Sequence, residues 1–85
     1  MKRYIVVVSI DRNIGMLGSF ASYEEAYEKM REDFIRIVNP DKEALENDGT
    51  DYDVWEFGKY SAWANDPPGG QIGEDYDWAI LEIPA

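Results

Sequence analysis

The chain has 85 residues, which is enough for one domain and too few for a second hydrophobic core. It contains neither cysteine nor histidine, which excludes disulfides, a thiolate nucleophile, cysteine-bound zinc and the commonest general base. Its 8 basic and 18 acidic side chains give a formal net charge of −10. We therefore expect a single domain over residues 1–85, with no catalytic residues, metal or cofactor.

Two stretches at the start of the sequence are typical of β-strands that pair as a hairpin. Lys2 to Ile10 is rich in β-branched residues and is apolar on both faces, which favours a strand inside a sheet. Turn residues follow at 11–13. Ile14 to Phe20 then continues as a second strand, in which Gly15 and Gly18 favour an edge position or a bulge.

The segment from Ser22 to Val38 has the clearest pattern of the chain, that of an amphipathic helix. Its apolar residues recur at steps of three and four: Tyr23, Ala26, Tyr27, Met30, Phe34, Ile37 and Val38. Ser22 and Glu25 form a capping box at the start of the helix. Asn39-Pro40 ends it, because the residue before a proline is driven out of the helical conformation.

The second half of the chain alternates short strand patterns with turns. Pro40 to Glu46 is predicted as a short second helix, closed by a turn at 47–49. Strands are predicted at Tyr52–Phe57, Tyr60–Asn65 and Tyr76–Ile83. The glycine- and proline-rich stretch 66–75 is predicted as a loop. Gly58-Lys59 is interpreted as a two-residue hairpin turn, with a bulge in one longer strand as the alternative.

These elements predict an α+β fold in which one long helix lies on a single layer of four or five mostly antiparallel strands. The predicted element order is β-β-α-β-(β)-β, with the first and last strands central. Both of those strands are apolar on both faces, whereas one helix covers only one face of a sheet. The second face should be covered by the short second helix and the long loops, by a second copy of the chain, or by a partner.

The negative charge belongs to the second half of the chain. Residues 1–38 carry six basic and six acidic side chains, whereas residues 39–85 carry two basic and twelve acidic ones. The acids are interleaved with tryptophan and tyrosine, which favours a folded surface of one sign over a charged tail. Such a surface repels nucleic acid and anionic membranes and attracts basic proteins. Plain solubility is the competing interpretation.

We therefore predict a non-enzymatic interaction protein, of the inhibitor or nucleic-acid-mimic kind, that binds a basic protein surface such as that of a nucleic-acid-processing protein. Carboxylates would make the charged contacts, and Tyr60 or Trp63 would be the anchor. The predicted contact carboxylates are Asp53, Glu56, Asp66, Glu74, Asp75 and Asp77. Without cysteine or a long apolar run, the expected location is the cytoplasm.

Two other functions fit the same residues. The chain could be a structural domain that forms a homodimer through an open sheet face. It could instead be a carbohydrate-binding module whose rings stack on sugars, or a calcium-binding module that uses the oxygens of Asn47, Asp48, Asp51 and Asp53. Their spacing does not match an EF-hand loop, and a turn rich in Asn and Asp explains them better.

Overall fold

The structure, a computed structural model, describes residues 2–70 and 73–84 as one helix packed on one face of a six-stranded antiparallel sheet. Helix α1 spans Tyr23–Val38. The strands are β1 Lys2–Ile10, β2 Asn13–Phe20, β3 Thr50–Asp51, β4 Trp55–Phe57, β5 Ser61–Asn65 and β6 Asp75–Pro84. One π-helical turn, Ala44–Asp48, precedes β3. Within the described residues, no helix has the length and apolar character needed to cross a bilayer.

The strands lie side by side in the order β2-β1-β6-β5-β4-β3. The α+β class and the helix-on-sheet layering are as predicted, but the predicted strand count and order are wrong. The first and last strands are neighbours, in register from Lys2 opposite Pro84 to Ile10 opposite Tyr76. They occupy the second and third places of six, so both are interior strands as predicted, but the pair lies off the middle of the sheet because three strands follow β6 and one strand flanks β1.

The additional strand, β3 at Thr50–Asp51, lies just before the segment Tyr52–Phe57, which the sequence pattern predicts as a single strand. Residues 52–54 instead form a turn, in which the Val54 N–H donates to the Asp51 carbonyl at 2.8 Å. Aspartate favours such turns, and Tyr52 is left 85% exposed. The segment is therefore divided between the β3–β4 turn and β4, and the two short strands form a hairpin.

The link between β4 and β5 is a hairpin, which confirms the preferred interpretation over the bulge. Phe57 pairs with Ala62 across it, and the Gly58 N–H donates to the Ser61 carbonyl at 2.8 Å. The link contains three residues, 58–60, and not the predicted two. The predicted loop 66–75 joins β5 to β6, which begins at Asp75; Gln71 and Ile72 of this loop lie outside the described residues.

Helix α1 begins and ends at the residues that the capping signals indicate. The Ser22 hydroxyl accepts a hydrogen bond from the Glu25 N–H at 3.2 Å. At the other end Asn39 adopts a left-handed conformation with φ of 49°, and its N–H donates to the Ile35 carbonyl. The predicted bounds of the helix are therefore confirmed.

The hydrophobic core lies between α1 and the inner face of the sheet, and Phe34 is at its centre. The Phe34 ring is fully buried. Its centroid lies 5.5, 5.0 and 5.2 Å from those of Trp55, Phe57 and Trp78. Because large rings bury more apolar area than any other side chains, these contacts dominate the stability that so short a chain can reach.

The other face of the sheet, which we call the open face, carries no second layer in the described residues. The Cα atoms span only 17 Å in the shortest direction, which fits two layers about 10 Å apart. Of the three coverings considered for this face, the short second helix does not provide one, because Ala44 and Leu45 of the π turn pack against the core beside α1.

Replacing Phe34 by alanine should lower the free energy of unfolding by about 3–5 kcal/mol, because it opens a cavity at the centre of the core. Urea unfolding followed by circular dichroism measures the change. The matched control is Ile14→Ala, which removes an apolar side chain from the surface and should change the stability by less than about 0.5 kcal/mol. Equal losses in the two variants would show that the core is not centred on Phe34.

Candidate interaction surface

A row of side chains crosses the open face where the sheet is widest. The strand register places Ser9 opposite Ile14 on β2 and opposite Asp77 on β6. Asp77 is in turn opposite Trp63 on β5, and Trp63 is opposite Glu56 on β4. Trp63 is partly buried, whereas both acids are exposed. This row, which we call the Trp63 row, therefore presents an indole ring between two carboxylates.

An apolar patch adjoins this row on the open face of β1, β2 and β6. It consists of Ile5, Val7, Ile14, Met16, Ala79, Leu81 and Ile83. Ile14 and Met16 are 77% and 66% exposed. Exposed apolar side chains that are contiguous, and not scattered singly, are typical of a surface that binds another macromolecule.

Three turns bring acidic residues to one end of the sheet, beside the same row. Because neighbouring strands are antiparallel, the β1–β2 turn, the β3–β4 turn and the β5–β6 loop share this end. Their acids, which we call the acidic end, are Asp11, Asp51, Asp53, Asp66, Glu74 and Asp75. The Asn65 N–H donates to the Val54 carbonyl at 2.8 Å, and the Asp11 N–H donates to the Asp75 carbonyl at 3.0 Å. These bonds hold the three turns together.

The described residues form three ion pairs, and none of them involves an acid of the acidic end or of the Trp63 row. The pairs are Lys2–Glu82, Lys29–Glu32 and Arg36–Asp33. Only the Lys2–Glu82 pair uses an acid from residues 39–85, and it lies at the opposite end of the sheet. The hydrogen bond to Glu82 and the charge of Glu82 raise the pKa of Lys2 above its ordinary value.

The structure separates the eight predicted contact residues into three groups. They are Glu56, Trp63 and Asp77 in the row, Asp53, Asp66, Glu74 and Asp75 at the acidic end, and Tyr60 in the β4–β5 hairpin. That hairpin lies at the opposite end of the sheet, and the Tyr60 ring centroid is 5.0 Å from that of Tyr23 on α1. Asp66 also has a structural contact, because its Oδ1 accepts the Gly73 N–H at 2.8 Å. We call the first two groups together the acidic surface; they adjoin on β6, where Asp75 and Asp77 are two residues apart.

The residues considered for calcium fall into two separate turns. Asn47 and Asp48 lie in the π turn, whereas Asp51 and Asp53 flank Tyr52 beyond it. Among residues 2–70 and 73–84, no three carboxylates come together as candidate ligands of a metal ion.

Helix α1 has a buried acid on its core side that the sequence pattern does not reveal. Asp33 is only 7% exposed. Its Oδ2 accepts a hydrogen bond from the Trp78 indole at 2.8 Å, and its Oδ1 accepts one from the Arg36 guanidinium at 2.6 Å. The hydrogen bond to Asp33, followed by its charge, raises the pKa of Arg36. The one sequence signal for this buried position is the spacing of Asp33, which lies three residues after the apolar Met30 and three residues before Arg36.

Asp33 and Arg36 also line a cleft of about 430 Å³. Its other walls come from β1, β2 and the Gly69-Gly70 segment. The Gly69 N–H donates to the Ile37 carbonyl at 2.7 Å, and a Cβ at Gly69 would lie 2.6 Å from that oxygen. Because each Asp33 oxygen accepts a hydrogen bond, this carboxylate positions Trp78 and Arg36.

No protein family, curated protein or solved structure matches the chain. The function of its surface is therefore inferred from the chemistry of its own residues.

Changing Asp75 and Asp77 together to asparagine should raise the free energy of unfolding by up to about 1 kcal/mol at low salt, because it relieves repulsion within the acidic surface. Thermal unfolding in low salt and in about 1 M salt measures the effect, which should largely vanish where the screening length is about 3 Å. A loss of stability in the double variant would show that these carboxylates have structural partners.

Asp33→Ala should lower the free energy of unfolding by about 1–3 kcal/mol, because the buried Trp78 N–H loses its acceptor. Asp33→Asn should lower the free energy of unfolding by a smaller amount, since an amide oxygen can still accept the hydrogen bond from the Trp78 indole. Chemical unfolding gives both values, and the indole N–H resonance of Trp78 reports whether its bond persists. Equal losses in the two variants would contradict this role.

Proposed function

We propose that this chain is a non-enzymatic interaction protein that binds a basic surface of another protein with its open face. The observation that carries the proposal is the position of Trp63 between Asp77 and Glu56 in one row of the sheet. An arginine or lysine of the partner would place its cation over the indole ring and pair with the flanking carboxylates. A ring with one carboxylate on either side suits a cation better than any other ligand.

The apolar patch beside the row supplies the rest of the interface. Protein interfaces combine an apolar centre, in which a few aromatic anchors carry most of the free energy, with a polar rim. The patch has exposed Ile14, Met16 and Leu81, and the acidic surface lies along its border. The net charge of −10 would speed the approach of a basic partner and reject acidic ones.

The partner that fits this charge pattern is a protein that itself binds nucleic acid. Asp75 and Asp77 recur on the open face of β6 at about 6.6 Å, and further carboxylates continue beyond them at the acidic end. Such a series resembles the regular negative charges of a phosphate backbone. The proposed setting is the cytoplasm, and direct binding of nucleic acid is not expected.

The exposed apolar patch also favours a second candidate, a homodimer formed through the open face. Two copies would bury Ile14, Met16, Leu81 and Ile83 against each other. The charge of each copy opposes this arrangement, because both bring the same acidic surface to the contact. Light scattering over a range of protein concentrations distinguishes the two: a constant monomer mass supports the basic partner, and a mass that doubles supports the homodimer.

Affinity capture with three matched baits tests the proposal. The site variant is Glu56→Gln with Asp75→Asn and Asp77→Asn, all exposed positions. The control variant makes the same change of charge beside the π turn, at Asp41→Asn with Glu43→Gln and Glu46→Gln. The wild type and the control should retain the same basic proteins, which high salt releases. The site variant should lose them. Identical captures by the site variant and the wild type would refute the proposal.

A further inference from the structure

Strand β2 forms an edge of the sheet whose outer side has no partner strand in the described part of the chain. A strand at the edge of a sheet presents unpaired N–H and C=O groups to solvent. Proteins usually protect such a strand with charged residues, with proline, with a bulge, or by keeping it short. The other edge, β3, is only two residues long. In contrast, β2 has eight residues, none of them charged or proline, and one bulge, near Leu17. The β2 edge is therefore a template for another strand.

An acidic groove runs along this edge in the helix layer. It has a volume of about 440 Å³ and lies between Phe20, the last residue of β2, and the side of α1. The helix contributes four glutamates and one lysine: Glu24, Glu25, Glu28, Glu32 and Lys29. Lys29 is 3.9 Å from Glu32, so it offsets one of the four negative charges. A segment lying on the β2 edge would thus have acids above it on the helix side.

Phe20 lines this groove with Glu24 to Glu32, and Leu17 lines the neighbouring cleft with Asp33, Arg36 and Ile37, so α1 and β2 run past each other in opposite directions. Between Glu24 and Glu32 the helix rises about 12 Å, at about 1.5 Å per residue. The eight residues of β2 extend over about 26 Å, at about 3.3 Å per residue. The glutamates therefore lie along about half of the strand, starting from Phe20.

We propose that the β2 edge binds an extended basic segment of another protein, which adds to the sheet as a seventh strand. Because side chains of a strand alternate between the two faces, lysine or arginine at every second position would reach the glutamates of α1. The intervening side chains, apolar or small, would lie beside Ile14 and Met16 on the open face. This site uses the β2 backbone and the α1 glutamates, so it does not depend on the Trp63 row.

A second copy of the chain is the poorer occupant of this edge. Antiparallel pairing of β2 with another β2 requires a two-fold axis perpendicular to the sheet, which places both helices on the same side. The glutamates of the two grooves would then face each other across the axis. Like charges in that position repel, whereas a basic segment is attracted.

The test uses a blocked octapeptide that alternates lysine with valine or threonine, added to the isotope-labelled protein. Binding should shift the amide resonances of residues 13–20 and slow their hydrogen exchange. The matched peptide that is N-methylated at every residue keeps the charge and loses all of its backbone N–H donors, so it should not protect these amides. Glu28→Gln with Glu32→Gln should weaken binding about five- to tenfold. Glu43→Gln with Glu46→Gln, an equal change of charge elsewhere, should leave it unchanged.

Three results would overturn the proposal. Equal binding of the N-methylated peptide would show that charge alone attracts it. Resonance shifts confined to the Trp63 row would place the peptide on the open face, which is the surface of the proposed function and not this edge. A dimer of the peptide-free protein with protected β2 amides would identify the occupant as a second copy.

Discussion

One helix can shield only one face of a sheet, and this constraint governs the rest of the molecule. The six strands meet α1 on one side, where Phe34 packs among three large rings. Yet β1 and β6 have apolar side chains on both faces, so covering one face leaves Val7, Ala79 and Leu81 on the other. The core and the exposed apolar patch are two sides of the same pair of strands. A variant that changes the packing of Val6 or Trp78 would also shift the residues that face outward.

Local signals in the sequence were sufficient wherever the structure depends on near neighbours. The helix bounds follow from Ser22, Glu25 and Asn39, whose own side chains and backbone make the caps. The two glycines of β2 indicated an edge position or a bulge, and β2 has both. The segment Tyr52–Phe57 was mispredicted because alternation alone does not show where a short strand turns, and Asp51 and Asp53 favour a turn there.

Features that depend on contacts between distant parts of the chain could not be predicted from local sequence patterns. The Trp63 row exists because β4, β5 and β6 pair in one register, and no spacing within the sequence reveals that Glu56 and Asp77 flank the same ring. The separation of Tyr60 from the acids has the same cause, since a hairpin sends its tip to the far end of the sheet. Asp33 resembles a surface acid until its partner, Trp78, is known to lie 45 positions along the chain.

The pairing of β1 with β6 also has a consequence during protein synthesis. Lys2 lies opposite Pro84, so the first strand acquires its second neighbour only after the residues of β6 have left the ribosome. Until then β1 pairs with β2 alone, and the nascent hairpin exposes apolar groups on both faces. Closing so distant a contact has a large entropic cost, which slows folding compared with helical chains of the same length. During this interval the exposed apolar groups of the hairpin make the nascent chain prone to aggregation.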